Sequence, residues 1–129
     1  MKIGELIPQP LCYGMFRRSQ TRFVPDTPGC YLLTTISRVV LYIGLTDNLR
    51  RRMNEHLDGG KKTVATELGR AVLFFWLETR EMHKVERTWM NTHVQHEGFL
   101  PILNKVYSPQ PRDRKLADVV VRLGAGRAS

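Results

Sequence analysis

Gly29-Cys30-Tyr31-Leu32-Leu33-Thr34-Thr35-Ile36, a polar break at Ser37-Arg38, then Val39-Val40-Leu41-Tyr42-Ile43-Gly44 is the stretch that decides the fold. Both arms are rich in β-branched and aromatic residues, and the break has the length of a hairpin turn. Cys30 to Ile36 and Val39 to Ile43 are therefore predicted to pair as strands. Gly29 and Gly44 bracket the pair, where backbone must turn or approach another group closely. The period then changes. Thr46 and Asp47 are N-cap types, and in the run Asn48 to Leu57 the residues Leu49, Met53 and Leu57 recur every fourth position. That spacing predicts a helix with one buried stripe, ended by Asp58-Gly59-Gly60. Arg52 and His56 are also four apart, on the face beside the stripe.

Downstream, Lys61-Lys62 opens a loop, and Thr63 to Leu68 is predicted as a short helix stopped by Gly69. Ala71 to Leu77 is a continuous apolar run of strand length, as expected of a strand covered on both faces in mid-sheet. Glu81 to His96 reads as a second helix with Met82, Val85, Trp89 and Val94 inward and Glu86 at their border. Leu100 to Asn104 is a compact apolar turn, and Asp113 to Leu123 reads as a last amphipathic helix before a tail. Upstream, Met1 to Asp26 has no clear period and is broken by Pro8, Pro10 and Pro25. Its Leu6, Leu11, Tyr13, Met15 and Phe16 need burial, so it is read as an arm packed on the domain. The expected fold class is α/β (α+β): a small three-stranded mixed or antiparallel sheet flanked by helices, in the order β-β-α-β-α. One domain is expected, with the arm at 1–26, the main unit at 27–107 and a helix and tail at 108–129.

Twenty Lys and Arg against twelve Asp and Glu give a net charge of +8, which suits a polyanionic partner such as nucleic acid. No apolar run approaches the ~20 residues of a membrane span, and Met1 to Glu5 lacks the apolar core of a secretory leader, so a cytoplasmic chain is expected. Cys12 and Cys30 are read as reduced thiols, too few for a cysteine zinc cluster. Neither Gly-rich phosphate-loop pattern is present, which argues against nucleotide-binding enzymes of those types. His93 and His96 have metal-ligand spacing but no matching ligands nearby, and Trp76 and Trp89 are read as core.

Gly29-Cys30-Tyr31 and Tyr42-Ile43-Gly44 resemble the two halves of the GIY-YIG nuclease motif. Cys30 stands where that family usually has Ile or Val, and its small apolar side chain still suits the strand. Arg52 matches the arginine two turns into the following helix, and His56 matches a histidine many members add one turn later. Glu86 resembles the glutamate that holds the metal, and Asn104 the asparagine after a Pro-containing turn. There are departures. The Glu86–Asn104 gap is longer than usual, as if His96-Glu97-Gly98-Phe99 were inserted, and Leu45 stands where some members carry a lysine.

The resemblance covers about residues 27 to 105 and implies an endonuclease that hydrolyses phosphodiester bonds with water. The implied substrate is DNA sooner than RNA, in a structure-selective or single-strand-acting manner, with Mg²⁺ or Mn²⁺ as cofactor. Magnesium keeps several waters and often takes one or two carboxylates, so Glu86 alone suffices as the implied metal ligand. Arg52 offers a fixed fork of donors for phosphate oxygens. Tyr31 is implied to activate water and Tyr42 to position water or phosphate. His56, whose ordinary pKa is nearest working pH, either shares the proton or bonds a phosphate. Gly44, Asn104, Lys61, Lys62, Arg17 and Arg18 are candidates for substrate contact. The alternative is a module of the same fold that binds nucleic acid without turnover; monomer and homodimer both stay open.

Overall fold

The computed structural model describes residues 1–106. Its centre is an antiparallel sheet of four strands: β1 (Cys12–Met15), β2 (Gly29–Thr34), β3 (Val40–Thr46) and β4 (Leu73–Glu78), in the spatial order β1-β4-β2-β3. The expected hairpin is β2–β3. Its register sets Tyr31 opposite Gly44 and Leu33 opposite Tyr42, so these four residues share one face. Cys30, Leu32 and Ile43 take the other face. β2 is buried along its whole length, and β4 lies between β1 and β2, where its apolar run belongs.

One correction concerns strand number. The sheet has four strands, not three, because Cys12 to Met15 pairs with Trp76 to Leu73 at the sheet edge. Residues 1–26 are also tied in elsewhere: Met1 carbonyl accepts from Val40 N–H, and Ile3, Leu6, Phe16 and Val24 are buried.

Two helical layers cover the sheet. Helix α1 (Leu49–Gly59) lays Leu49 and Met53 on the Tyr31 face, with Leu33, Phe74 and Trp76. Helix α2 (Met82–Glu97) lays Val85 and Trp89 on the Cys30 face, with Leu32, Ile43 and Phe75. Burying each such large side chain contributes about 1.5–3 kcal/mol, and Trp89 keeps its polar edge satisfied by donating Nε1–H to Pro8 carbonyl at 2.8 Å. A short helix α3 (Ile102–Val106) follows, with Leu103 in the Tyr31-face core.

Smaller differences have local causes. Thr46 is the last residue of β3, so Asn48 rather than Thr46 or Asp47 caps α1, its side chain accepting from Arg51 N–H at 2.9 Å. Thr63 to Leu68 is not helical: Thr66 and Gly69 exchange backbone hydrogen bonds, and Gly69 takes φ 122°. The helix expected over Asp113 to Leu123 lies outside the described residues. Cys12 and Cys30 are both free thiols, and no described helix is long and apolar enough to cross a membrane.

Candidate active site

Tyr31 is the centre of the site. Strand alternation points it at α1, and its ring is wholly buried, stacked at 5.3 Å and 12° on Phe74. From α1, His56 approaches it on the same side as Leu49 and Met53, positions 49, 53 and 56 forming one helical face. Tyr31 Oη and His56 Nε2 are 2.6 Å apart. Arg52, one turn earlier, donates Nε–H to the same hydroxyl at 3.3 Å. Tyr42 stands beside Tyr31, its ring 6.0 Å from Tyr31 and 5.4 Å from His56. Gly44 makes room for this. A Cβ there would sit 2.5 Å from both Cζ and Oη of Tyr31, so the phenol occupies the space a side chain would take.

The electrostatics follow from burial beside cations. Burial, then Arg52 and Lys62, lowers the His56 pKa to about 3, so the ring is neutral at neutral pH. Burial, with Tyr42 adding to it, holds the Tyr31 pKa well above its ordinary value even though Arg52 opposes the rise. Burial works against the Arg52 charge, but Tyr31 and Glu55 outweigh it and raise its pKa further. Glu55 accepts from Arg52 Nη1 at 2.9 Å and orients the guanidinium. Glu55 lies three residues after Arg52, a spacing that in the sequence already marks a pair on one helical face.

Lys62 does more than extend a basic loop. It is 2 % exposed, with Nζ 4.5 Å from the Tyr42 ring centre. Burial, then Arg52 and Lys61, lowers its pKa to about 8. Arg52, Glu55, His56, Gly59, Lys61 and Lys62 line a cavity of about 200 Å³, an anion-sized space beside the tyrosines. Arg17 and Lys61 are exposed, and Arg18 pairs with Asp58 at the end of α1.

Glu86 and Asn104 stand apart from this cluster. Glu86 is half-buried on α2, near Cys30, whose thiol donates to Met82 carbonyl at 3.0 Å. Burial raises the Glu86 pKa against the pull of His83 and Arg87, and raises the Cys30 pKa, with Glu86 adding, to about 12. Among the described residues, Glu86 makes no hydrogen bond or ion pair with Tyr31, Arg52 or His56. Asn104 closes the open edge of β3: Oδ1 accepts from Ile43 N–H and Nδ2 donates to Ile43 carbonyl, each at 3.0 Å. Its amide is thereby engaged with backbone. His93 is likewise engaged, at 2.8 Å from Phe99 carbonyl. The described residues contain no cluster of three or more His, Cys, Asp or Glu that could hold a metal.

Comparison with known proteins identifies the family. The family model described as the GIY-YIG catalytic domain matches residues 27–98, more than half of the 129-residue chain. The UvrABC system protein C of Symbiobacterium thermophilum is 35% identical over 49 residues, 38% of this chain and 8% of that protein. The protein of the same name from Lactobacillus gasseri is 32% identical over 57 residues, 44% of this chain and 10% of its own length. The matched stretches are thus a small part of these relatives.

Proposed function

The chain belongs to the GIY-YIG catalytic-domain family of nucleases, and from that premise we propose that it is a metal-dependent endonuclease hydrolysing phosphodiester bonds in nucleic acid, DNA sooner than RNA. Residues 27–107 form the catalytic unit in this reading, and the protein works in the cytoplasm. The observation that carries it is the shared hydroxyl of Tyr31: neutral His56 at 2.6 Å on one side, the Arg52 guanidinium on the other.

Tyr31 is wholly buried, so an attacking water cannot touch it, whereas Tyr42 keeps 7 % exposure. Tyr42 therefore meets the water, and Tyr31 passes the proton inward. As the water oxygen attacks phosphorus, the bond from phosphorus to the departing sugar oxygen breaks and that oxygen takes a proton from solvent. Meanwhile the water proton moves to the Tyr42 oxygen, the Tyr42 proton to Tyr31 and the Tyr31 proton to His56 Nε2. His56 resists that proton because it is buried and because Arg52 and Lys62 lie beside it. A phosphate in the cavity lined by Arg52, Lys61 and Lys62 would offset their charge and so ease the part of that resistance that the two neighbouring cations cause. Arg52 and Lys62 then face the charge that develops on the phosphoryl oxygens.

Glu86 suits a divalent cation as a single ligand. Its carboxylate is partly desolvated and forms no ion pair among the described residues, a state a bound cation relieves. When bound, Mg²⁺ or Mn²⁺ would supply Lewis-acid stabilisation of the phosphate. Asn104 serves by holding β3, and so Tyr42, in register.

The test is incubation with single-stranded, duplex and branched DNA and with RNA, with and without Mg²⁺ or Mn²⁺. Metal-dependent cleavage, lost in Arg52→Ala and Glu86→Ala, is expected. No cleavage by the folded wild type refutes the nuclease reading. Undiminished cleavage by Glu86→Ala refutes the metal assignment alone.

A further inference from the structure

We propose that a second cavity, between the N-terminal segment and the tip of the β2–β3 hairpin, is a stacking subsite for single-stranded nucleic acid. Its volume is about 520 Å³, and Lys2, Pro10, Leu11, Tyr13, Arg38 and Phe75 are among its walls. Phe75 packs in the layer with Leu32 and Ile43, so this cavity opens on the α2 side of the sheet, away from Tyr31. It is a different place from the catalytic cluster.

The chemistry of the walls indicates the ligand. Tyr13 is 52 % exposed and lies on buried Phe75, ring centres 4.8 Å apart at 22°. A half-exposed ring on a rigid base offers a π-face to any nucleobase. Arg38 holds its guanidinium 5.2 Å from the Tyr13 ring centre and donates to Tyr13 Oη at 3.4 Å. Lys2 adds a second cation, and no acidic side chain is among the described residues lining the cavity. Cations beside a fixed aromatic, in a chain of net charge +8, match a phosphate backbone with an adjoining base. The base must be unpaired, because a duplex keeps its base faces stacked inside.

The backbone at Arg38 is an independent sign. Its φ is 71°, a left-handed conformation that glycine and asparagine adopt more readily than arginine. Glycine or asparagine would relieve it, yet arginine is present. The strand-like N-terminus keeps it there: Ile3 N–H donates to Arg38 carbonyl at 3.2 Å and Val40 N–H to Met1 carbonyl at 2.8 Å. This turn places the Arg38 guanidinium against the exposed Tyr13 ring.

Only the class of partner is taken from the nuclease reading, and the test needs no cleavage. Anisotropy titrations of labelled twelve-nucleotide oligo-dT, oligo-U and a duplex are run in EDTA. Tyr13→Ala is expected to weaken single-strand binding about tenfold, with duplex binding unchanged, and Tyr13→Trp to retain it. Arg38→Gly relieves the left-handed φ, so it folds at least as well, and it is expected to lower the salt slope by about one. With 5-iodouracil in the oligonucleotide, near-ultraviolet crosslinks should fall in the Ile3–Arg17 tryptic peptide. The relative loss on oligo-dT and oligo-U tells which polynucleotide the subsite takes. Wild-type single-strand affinity in folded Tyr13→Ala and in Arg38→Gly overturns the proposal. Cleavage that survives that result leaves the nuclease reading intact, whereas Tyr13-dependent binding without cleavage supports the subsite alone.

Discussion

Gly44→Ala is the most direct challenge to the geometry of the site. The added methyl would stand 2.5 Å from Cζ and Oη of Tyr31 and 2.8 Å from Cε1, where ordinary contact begins at 3.4 Å. The ring must retreat by about 0.9 Å or more, or β3 must. Neither is easy. The ring is wholly buried, stacked on Phe74 on its inner side and tied to His56 and Arg52 at its hydroxyl. β3 is paired with β2 and held at Ile43 by Asn104. Overpacking of this kind costs about 1–3 kcal/mol, which a urea denaturation curve would show as a lower midpoint at unchanged slope. Displacing the hydroxyl by close to an ångström from His56 should lower cleavage at saturating substrate by about 100-fold. The two effects share a cause, so Phe74→Leu, which gives the ring somewhere to go, should recover part of the stability lost by Gly44→Ala. A Gly44→Ala protein with wild-type midpoint and wild-type turnover would show that the Tyr31 hydroxyl need not lie over Gly44, and the proton path drawn through it would fall.

Three further outcomes follow from the same contacts. Asn104→Ala leaves Ile43 N–H and carbonyl without their side-chain partners and should cost about 1–3 kcal/mol, read as a lower urea midpoint together with faster hydrogen exchange at Ile43. Acid should destabilise the fold through His56. Its pKa is about 3 in the folded protein against an ordinary 6.5, so the unfolded chain takes up a proton the native one refuses. Stability is then complete above pH 6.5 and declines toward pH 3 by up to about 5 kcal/mol. His93, also lowered by burial, adds to the decline with the same sign, so His56→Phe should flatten the slope in part, and an unchanged slope would place His56 in water. Lys62 should set an alkaline limit: cleavage falls as pH rises through about 8 and the ammonium is lost, and Lys62→Arg should move that limit upward.

The parts of the fold legible in the sequence were those whose signal is local. The β2–β3 hairpin declares itself by composition and a two-residue break, α1 by a four-residue spacing, β4 by an unbroken apolar run. β1 has no such signal. Cys12-Tyr13-Gly14-Met15 is four residues long and mostly exposed in its first half, and it is a strand because Trp76 to Leu73 offers it an edge. Thr63 to Leu68 misleads for the same reason. Its composition tolerates a helix, but the tertiary position of Gly69 closes a turn instead. In the site, the spacing of Arg52 and His56 was readable because both hang from one helix. The burial of Lys62 was not, since beside Lys61 it looks like solvated loop, and only the Tyr42 ring across the fold shows otherwise.

The division of the sheet into two faces constrains how the proposed chemistry is assembled. Tyr31 and its partners lie on the α1 face; Glu86, through its neighbour Cys30, lies on the α2 face. Cys30 and Tyr31 are successive residues of β2, opposite Leu45 and Gly44 on β3. Both groups therefore stand at the same end of the same strand pair, one step apart along the chain and on opposite sides of it. β3 is the outermost strand, so a phosphate can be shared by the two groups only past that edge and end, and not in a cleft on either face. This explains why the edge needs Asn104. An unfixed outer strand would let Tyr42 and Gly44 drift relative to β2, and the two halves of the site would lose their common frame. It also separates the roles of the two basic regions. In the two proposals Arg52, Lys61 and Lys62 hold the phosphate for reaction, whereas Arg38, at the tip of the hairpin, and Tyr13, on the α2 side of the sheet, hold nucleic acid that is not itself cut.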